Sequence, residues 1–474
     1  MLRKIKIGVL GFSDGEPDVH EQLKDVVQKQ LDVICEELEK TGEVEIVRGD
    51  CLVNSVKSAK DEAMKLAAKN VDATIFVYAV FAFPNFSAIA AKNGKEPFLL
   101  VSNFNPDWPG MVSMLAAGGA LHHLGIHHFR IAGDIRPTAI LDKYMKFIRC
   151  AHTASSLNGQ KYGLIGGRSL GMYSATVNMQ DWQEKFGIDV DHVDQSEILR
   201  LAEQVSDEQV EKAFAWLNQY VGKINYDGVR LTPEKLKMQI RHYEALKEII
   251  KKNELDFVGV KCHYEMSRNY CTQCLSAAFC NDPYDWDGEK EPLVYACEAD
   301  GDAALTMQIL KQLTGDPVIF MDVRHYDFDY NVMVFCNCGS QSTYYAGRSA
   351  DFKENLKNVT LYPCLEIYSG GGCHVNCMTK AGKATIARLN RTQGKYRMTI
   401  IPAEFVELPR EKMKETTEEW PHVYAKFPFD YDVFIQNFDA NHCHAVYGDH
   451  VEELEMICGM LGIEAEILGK GASS

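Results

Sequence analysis

Residues 291–326 read EPLVYACEADGDAALTMQILKQLTGDPVIFMDVRHY. Two short apolar runs, LVYAC and PVIFM, end near carboxylates, Glu298 and Asp322, with a helical pattern between them. Asp302 is placed to cap that helix, and Gly315 follows it. Read as a β-α-β unit, the segment puts both strand ends on one edge of a sheet, because crossovers between parallel strands are right-handed. That edge is where open α/β sheets bind ligands. Two carboxylates so close repel unless they share a cation or a proton. A hard divalent ion such as Mn2+ or Mg2+ suits oxygen ligands. The same spacing also fits a plainer role, since Glu298 stands just before a helix, where negative charge is favoured.

Working outward, residues 5–152 alternate strand and helix, which argues for a parallel sheet covered on both faces. The longest apolar run, ATIFVYAVFAF (73–83), is too short for a membrane span and reads as a buried strand. TASSLNGQ (153–160) reads as a linker, and KYGLIGGRSLG opens a second alternating unit. Helices are expected at 177–187, 195–203, 206–221 and 232–252, and a strand at 256–260. After about residue 328 the texture turns β-rich, as a small barrel or sandwich would require. Three domains follow: 1–158 and 159–316, both Rossmann-like and doubly wound, and a β-rich, barrel-like 317–474.

The charge is −16, from 50 basic and 66 acidic residues, which speaks against nucleic-acid binding. No membrane span or signal peptide is read, so a cytoplasmic chain is expected. The 15 cysteines are then reduced by default. Cys262, Cys271, Cys274 and Cys280 form the densest group and offer a zinc or iron–sulfur alternative, although their spacing fits no common cluster pattern. HHLGIHH (122–128) ends a helix, where imidazoles are favoured without any metal. NFDANHCHAVYGDH (437–450) supplies three histidines; His442 beside a glutamate–aspartate pair would complete a metal site.

The segment shares the order and spacing of further motifs: WPGMVSMLAA (108–117), KYGLIGGRSLGM (161–172), VIFMDVRHY (318–326), CNCGS (336–340), EIYSGGG (366–372), VELP (406–409), WP (420–421) and NHCHAVYGD (441–449). Over nearly its whole length the chain resembles the L-fucose isomerase and L-arabinose isomerase superfamily, the fucose type most closely. The resemblance implies a metal-dependent aldose–ketose isomerase. Its ion, Mn2+ with Mg2+ or Co2+ as alternatives, would be held by Glu298, Asp322 and His442. Arabinose-type enzymes have a further histidine where this chain has Asn337. Glu298 and Asp322 would exchange protons with an open-chain sugar through a cis-enediol. A homo-oligomer is implied, a hexamer by analogy, with sites at subunit interfaces.

The sugar pocket departs from the fucose type. Leu10 stands for an arginine, Val101 for a tryptophan, Lys261 for a glutamine, Arg168 for a valine and Cys373 for a tyrosine. Asn437 matches a polar residue of the family, and the resemblance implies Trp420 of the WP pair as a further substrate contact. Lys261, Arg168 and His263 could together receive an anionic sugar, because sulfonate and phosphate oxygens favour such groups. The reading is therefore an isomerase of a pentose, 6-deoxyhexose or modified hexose. The alternative is an isomerase of sulfoquinovose to sulfofructose, and a more distant one a non-catalytic sugar-binding protein.

Overall fold

The structure, a computed structural model, describes residues 4–470. It forms two compact units: 4–156 with Glu455–Gly462, and Leu157–Leu454 with 463–470.

In the first unit five parallel strands lie in the order Val44–Arg48, Ile5–Phe12, Ala73–Tyr78, Phe98–Ser102 and His128–Ala132. Side chains alternate across a strand, so one strand feeds two cores. Ile7 and Val9 pack with Leu31, Ile34, Phe147 and Ile148 of the helices Pro17–Lys40 and Thr138–Ser156. Leu10 and Phe12 pack on the opposite face with Ala59, Leu66, Phe86 and Met114. Two expectations need correction. The strand within 73–83 stops at Tyr78, and Pro84 starts a helix, Pro84–Asn93, that its short apolar pattern did not reveal. Thr153–Ser156 of the expected linker still belong to the preceding helix.

The second unit holds a parallel sheet ordered Tyr295–Cys297, Phe257–Val260, Lys161–Ile165 and Asp189–Val193. It also holds a closed ring of six strands. Gly382–Thr392, His442–Tyr447, Ile319–Asp327, Val332–Cys336, His422–Lys426 and Lys395–Val406 pair in turn, and the last pairs with the first. The fold class is thus mixed α/β with a β-rich, barrel-like C-terminal part.

The decisive stretch is not one β-α-β unit. Tyr295–Cys297 joins the parallel sheet, whereas Ile319–Asp327 joins the barrel in antiparallel pairing. An apolar run of this length suits either kind of strand, so the sequence carries no mark of the change. The helix between them, Gly301–Thr314, is buried from Gly301 to Lys311. Leu389 N of a barrel strand donates to Thr306 Oγ1 of this helix (2.9 Å). The N-cap is Asp300, which accepts from Ala303 N (3.0 Å), not Asp302; Gly315 ends the helix in a left-handed turn (φ 73°).

Candidate metal centre

Asp322 and His442 are directly opposed residues on neighbouring barrel strands. Asp322 Oδ1 lies 3.1 Å from His442 Nε2. Glu298 follows the end of the parallel strand Tyr295–Cys297 and has a left-handed backbone (φ 59°), as does Ala299 (φ 54°). Such conformations are unfavourable for residues with a Cβ and persist only where surroundings enforce them. The bend leaves Glu298 Oε2 3.6 Å from the same imidazole nitrogen. Both sheets therefore converge on His442 Nε2.

The other nitrogen, Nδ1, lies 2.7 Å from Asp300 Oδ2. Asp300 also accepts from Arg388 (3.0 and 3.2 Å), and both side chains are almost wholly buried. Burial disfavours the Asp300 anion, yet Arg388 and His442 hold its carboxyl far below the usual range. An ionised carboxylate only accepts, so Nδ1 carries the proton and Nε2 faces the acids. This carboxylate–histidine pairing is how metal-ligating imidazoles are oriented. Asp300 was missed as a functional residue. EADGD offers three acids, and only the start of the helix distinguishes the one beneath the histidine.

The electrostatics ask for positive charge. Burial, then Asp322 and Asp300, against the pull of His442, push Glu298 up to about 7. Burial disfavours the His442 imidazolium, but Asp322 and Asp300 still raise it to about 10. Asp322 Oδ2 is buried without a hydrogen-bond partner. Three carboxylates around one imidazole, with one oxygen left over, fit a divalent cation on Glu298, Asp322 and His442. Asn337 is buried nearby in the chain fold, with its amide 3.4 Å from Phe320 O.

The remaining expected contacts are placed unevenly. His263 is buried with Nε2 3.5 Å from Glu298 Oε1, and burial holds it down at about 4; it is a neutral neighbour of the centre, not a cation. Lys261 is paired with Glu265 (2.7 Å). Arg168 is exposed in the glycine turn, 5.8 Å from the Tyr173 ring centre. That turn reaches the centre's edge, where Met172 Sδ lies 3.6 Å from Asn441 Nδ2 and Asn441 in turn contacts His442 (2.9 Å). Asn437 is exposed, and its amide donates to Val433 O of its own helix (2.8 Å). Trp420 is half-buried, its indole nitrogen is unpartnered, and Arg324 lies 5.3 Å from its ring centre.

The four-cysteine group does not assemble. Cys262 and Cys274 line one small cavity, Cys280 lies in an apolar core, and Cys271 contacts His242 (3.3 Å). Among the described residues, the set whose ligand atoms all lie within 4.8 Å of one another is a different one: His263, Glu298 and Cys338.

A parallel sheet and a closed barrel of the second unit, meeting at a Glu–Asp–His cluster, define an α/β protein with a barrel-borne acidic centre. Three models of one family match in succession: "L-fucose isomerase, first N-terminal domain" over residues 4–159, "second N-terminal domain" over 160–256 and "C-terminal domain" over 335–468. The chain belongs to the L-fucose isomerase family. It is similar to proteins named L-fucose isomerase from Haemophilus influenzae (26% identical, covering 89% of this chain and 84% of that one) and Vibrio vulnificus (25%, 98% and 93%). Another is from Bacteroides fragilis (25%, 97% and 92%).

Proposed function

We propose that the protein is a metal-dependent aldose–ketose isomerase acting on an open-chain sugar, a pentose, 6-deoxyhexose or modified hexose. The carrying observation is His442: Asp300 holds its Nδ1, and Glu298 and Asp322 approach its Nε2. The names of the relatives support the sugar-isomerase class. Glu298, Asp322 and His442 would hold the ion, with Mn2+ favoured and Mg2+ or Co2+ able to replace it. The ion's contribution, when bound, is Lewis-acid polarisation of the sugar carbonyl and hydroxyl. Glu298 and Asp322 move the proton from C2 of the aldose to C1. Asp300 and Arg388 keep His442 in one tautomer and one orientation throughout. A cytoplasmic homo-oligomer belongs to the same reading.

Arg168 favours the second reading, sulfoquinovose to sulfofructose. It is exposed, and its turn touches Asn441 beside the centre. Lys261, paired with Glu265, and neutral His263 lend that reading less than their sequence positions do.

Ketose formation from neutral, sulfonated and phosphorylated aldoses, measured with EDTA and then with added Mn2+, tests both readings. Turnover should vanish with EDTA and return with Mn2+. Turnover that ignores chelation, or that survives Glu298→Gln, overturns the mechanism. Turnover of neutral aldoses alone removes the sulfonated alternative.

A further inference from the structure

The two oxygens of Glu298 face different partners. Oε2 faces His442, whereas Oε1 lies 3.5 Å from His263 Nε2. The Cys338 thiol lies beside the same carboxylate. Donor atoms of His263, Glu298 and Cys338 thus lie within 4.8 Å of one another, a small adjustment away from enclosing an ion.

Two of the three donors are steadied from behind. The His263 ring stacks on Tyr368 (4.9 Å between centres, 21° between planes), and its Nδ1 lies 3.4 Å from Ser267 Oγ. Nε2 is left to face Glu298. Cys338 Sγ is 3.4 Å from Cys297 Sγ, so a second thiol can hydrogen-bond its sulfur. Outer contacts of this kind orient ligands and tune their basicity. The donor chemistry is mixed, one sulfur, one imidazole nitrogen and one carboxylate. Zinc accepts all three, while Mg2+ and Mn2+ favour oxygen.

We propose that His263, Glu298 and Cys338 form a second metal site, selective for Zn2+, that competes with the Asp322–His442 half of the centre for Glu298. On binding, the Cys338 thiol proton passes to solvent as sulfur bonds the ion. Zn2+ there turns Glu298 away from His442 and lowers turnover. That effect on turnover rests on the isomerase reading; the binding itself does not.

Co2+ distinguishes the two sets, because a thiolate ligand gives a sulfur-to-cobalt charge-transfer band in the near ultraviolet and oxygen or imidazole ligands do not. The full-length, reduced, chelator-stripped protein is titrated with Co2+ and then with Zn2+. The band should grow with Co2+, bleach as Zn2+ displaces it, disappear in Cys338→Ser and persist in Cys274→Ser. Ser267→Ala should weaken Zn2+ binding about 10-fold. No band in the natural protein, or a band that survives Cys338→Ser, overturns the proposal. Should Cys338→Ser fail to fold, His263→Gln must weaken the band; an unchanged band refutes the site. A thiolate band in a protein that isomerises no aldose under any ion would sink the isomerase reading alone. Mn2+-supported turnover without a cobalt band would sink this site alone.

Discussion

The barrel and the parallel sheet of the second unit each deliver one carboxylate to His442, by opposite means. The barrel places Asp322 by register: it is the cross-strand partner of His442, fixed by the ladder itself. The parallel sheet places Glu298 by a departure from regular structure, two successive left-handed residues after Cys297. Backbone pairing makes the first half of the centre rigid. The second half depends on the packing that enforces the bend, which leaves Glu298 the ligand able to serve two partners. The comparison also explains why Asp300 matters. It sits on the parallel-sheet side, two residues beyond Glu298, and reaches across to fix the barrel's histidine.

The sharpest way to break either half is to remove its acid. Glu298→Gln and Asp322→Asn should each lower Mn2+-supported turnover by about 10²–10⁴-fold, read from initial ketose formation. If only one variant is impaired, the two-sided centre is wrong. Next is the link between the halves. Asp300→Asn leaves Arg388 as an unpaired buried charge and should destabilise the fold by about 3–5 kcal/mol in urea unfolding. Combining it with Arg388→Met should restore most of that stability, while Mn2+ affinity stays about 10–100-fold weaker because His442 has lost its orienting partner.

Asp282 ties the helix Cys274–Asn281 to the segment that follows the barrel strand Val332–Cys336. It follows the helix Cys274–Asn281 and accepts from Ser342 and Thr343 (both 2.6 Å) and from Tyr344 N (3.0 Å). Burial, despite those hydrogen bonds, raises it from 3.8 to about 6. The folded state therefore binds this proton more tightly than the unfolded chain. Its contribution is largest below about pH 4 and is lost as pH rises towards 6, a swing of about 3 kcal/mol. The stability of the natural protein relative to Asp282→Asn should shrink across that window in urea titrations; a constant gap would contradict the assigned burial. The smallest effect is at the bend. Ala299→Gly removes the left-handed penalty but adds unfolded-state freedom, so unfolding should change by less than about 1 kcal/mol. A large loss would mean that the Ala299 methyl, and not the bend, holds Glu298.

Much of this was legible in the residues. Strand–helix alternation gave the first unit's parallel sheet, because covered strands and amphipathic helices leave different periods. Helix Pro233–Asn253 agrees closely with expectation, helped by a capping Thr232 and by Pro233. Ile319–Asp327 was legible as a strand and was read both as the end of a β-α-β unit and as part of the barrel-like 317–474; only its pairings, one of them with a strand more than a hundred residues away, distinguish the two. Glu298, Asp322 and His442 were raised as a possible set by residue type and position, and the resemblance of ordered motifs is what implied them as the ligands. Asp300 escaped because a two-residue shift in the helix start decides which acid meets the histidine. His263 was read as a possible cation, yet its charge depends on burial, which no local pattern records.

The strand His442–Tyr447 sits between Gly382–Thr392 and Ile319–Asp327 in the ring. It is therefore the keystone of the barrel as well as the carrier of the histidine. During synthesis both neighbours emerge earlier and wait with one unsatisfied edge each, the kind of edge that recruits foreign strands. Ring closure and completion of the Glu–Asp–His cluster thus become a single late event, and a nascent chain halted before His442 would lack the centre while exposing two adhesive seams.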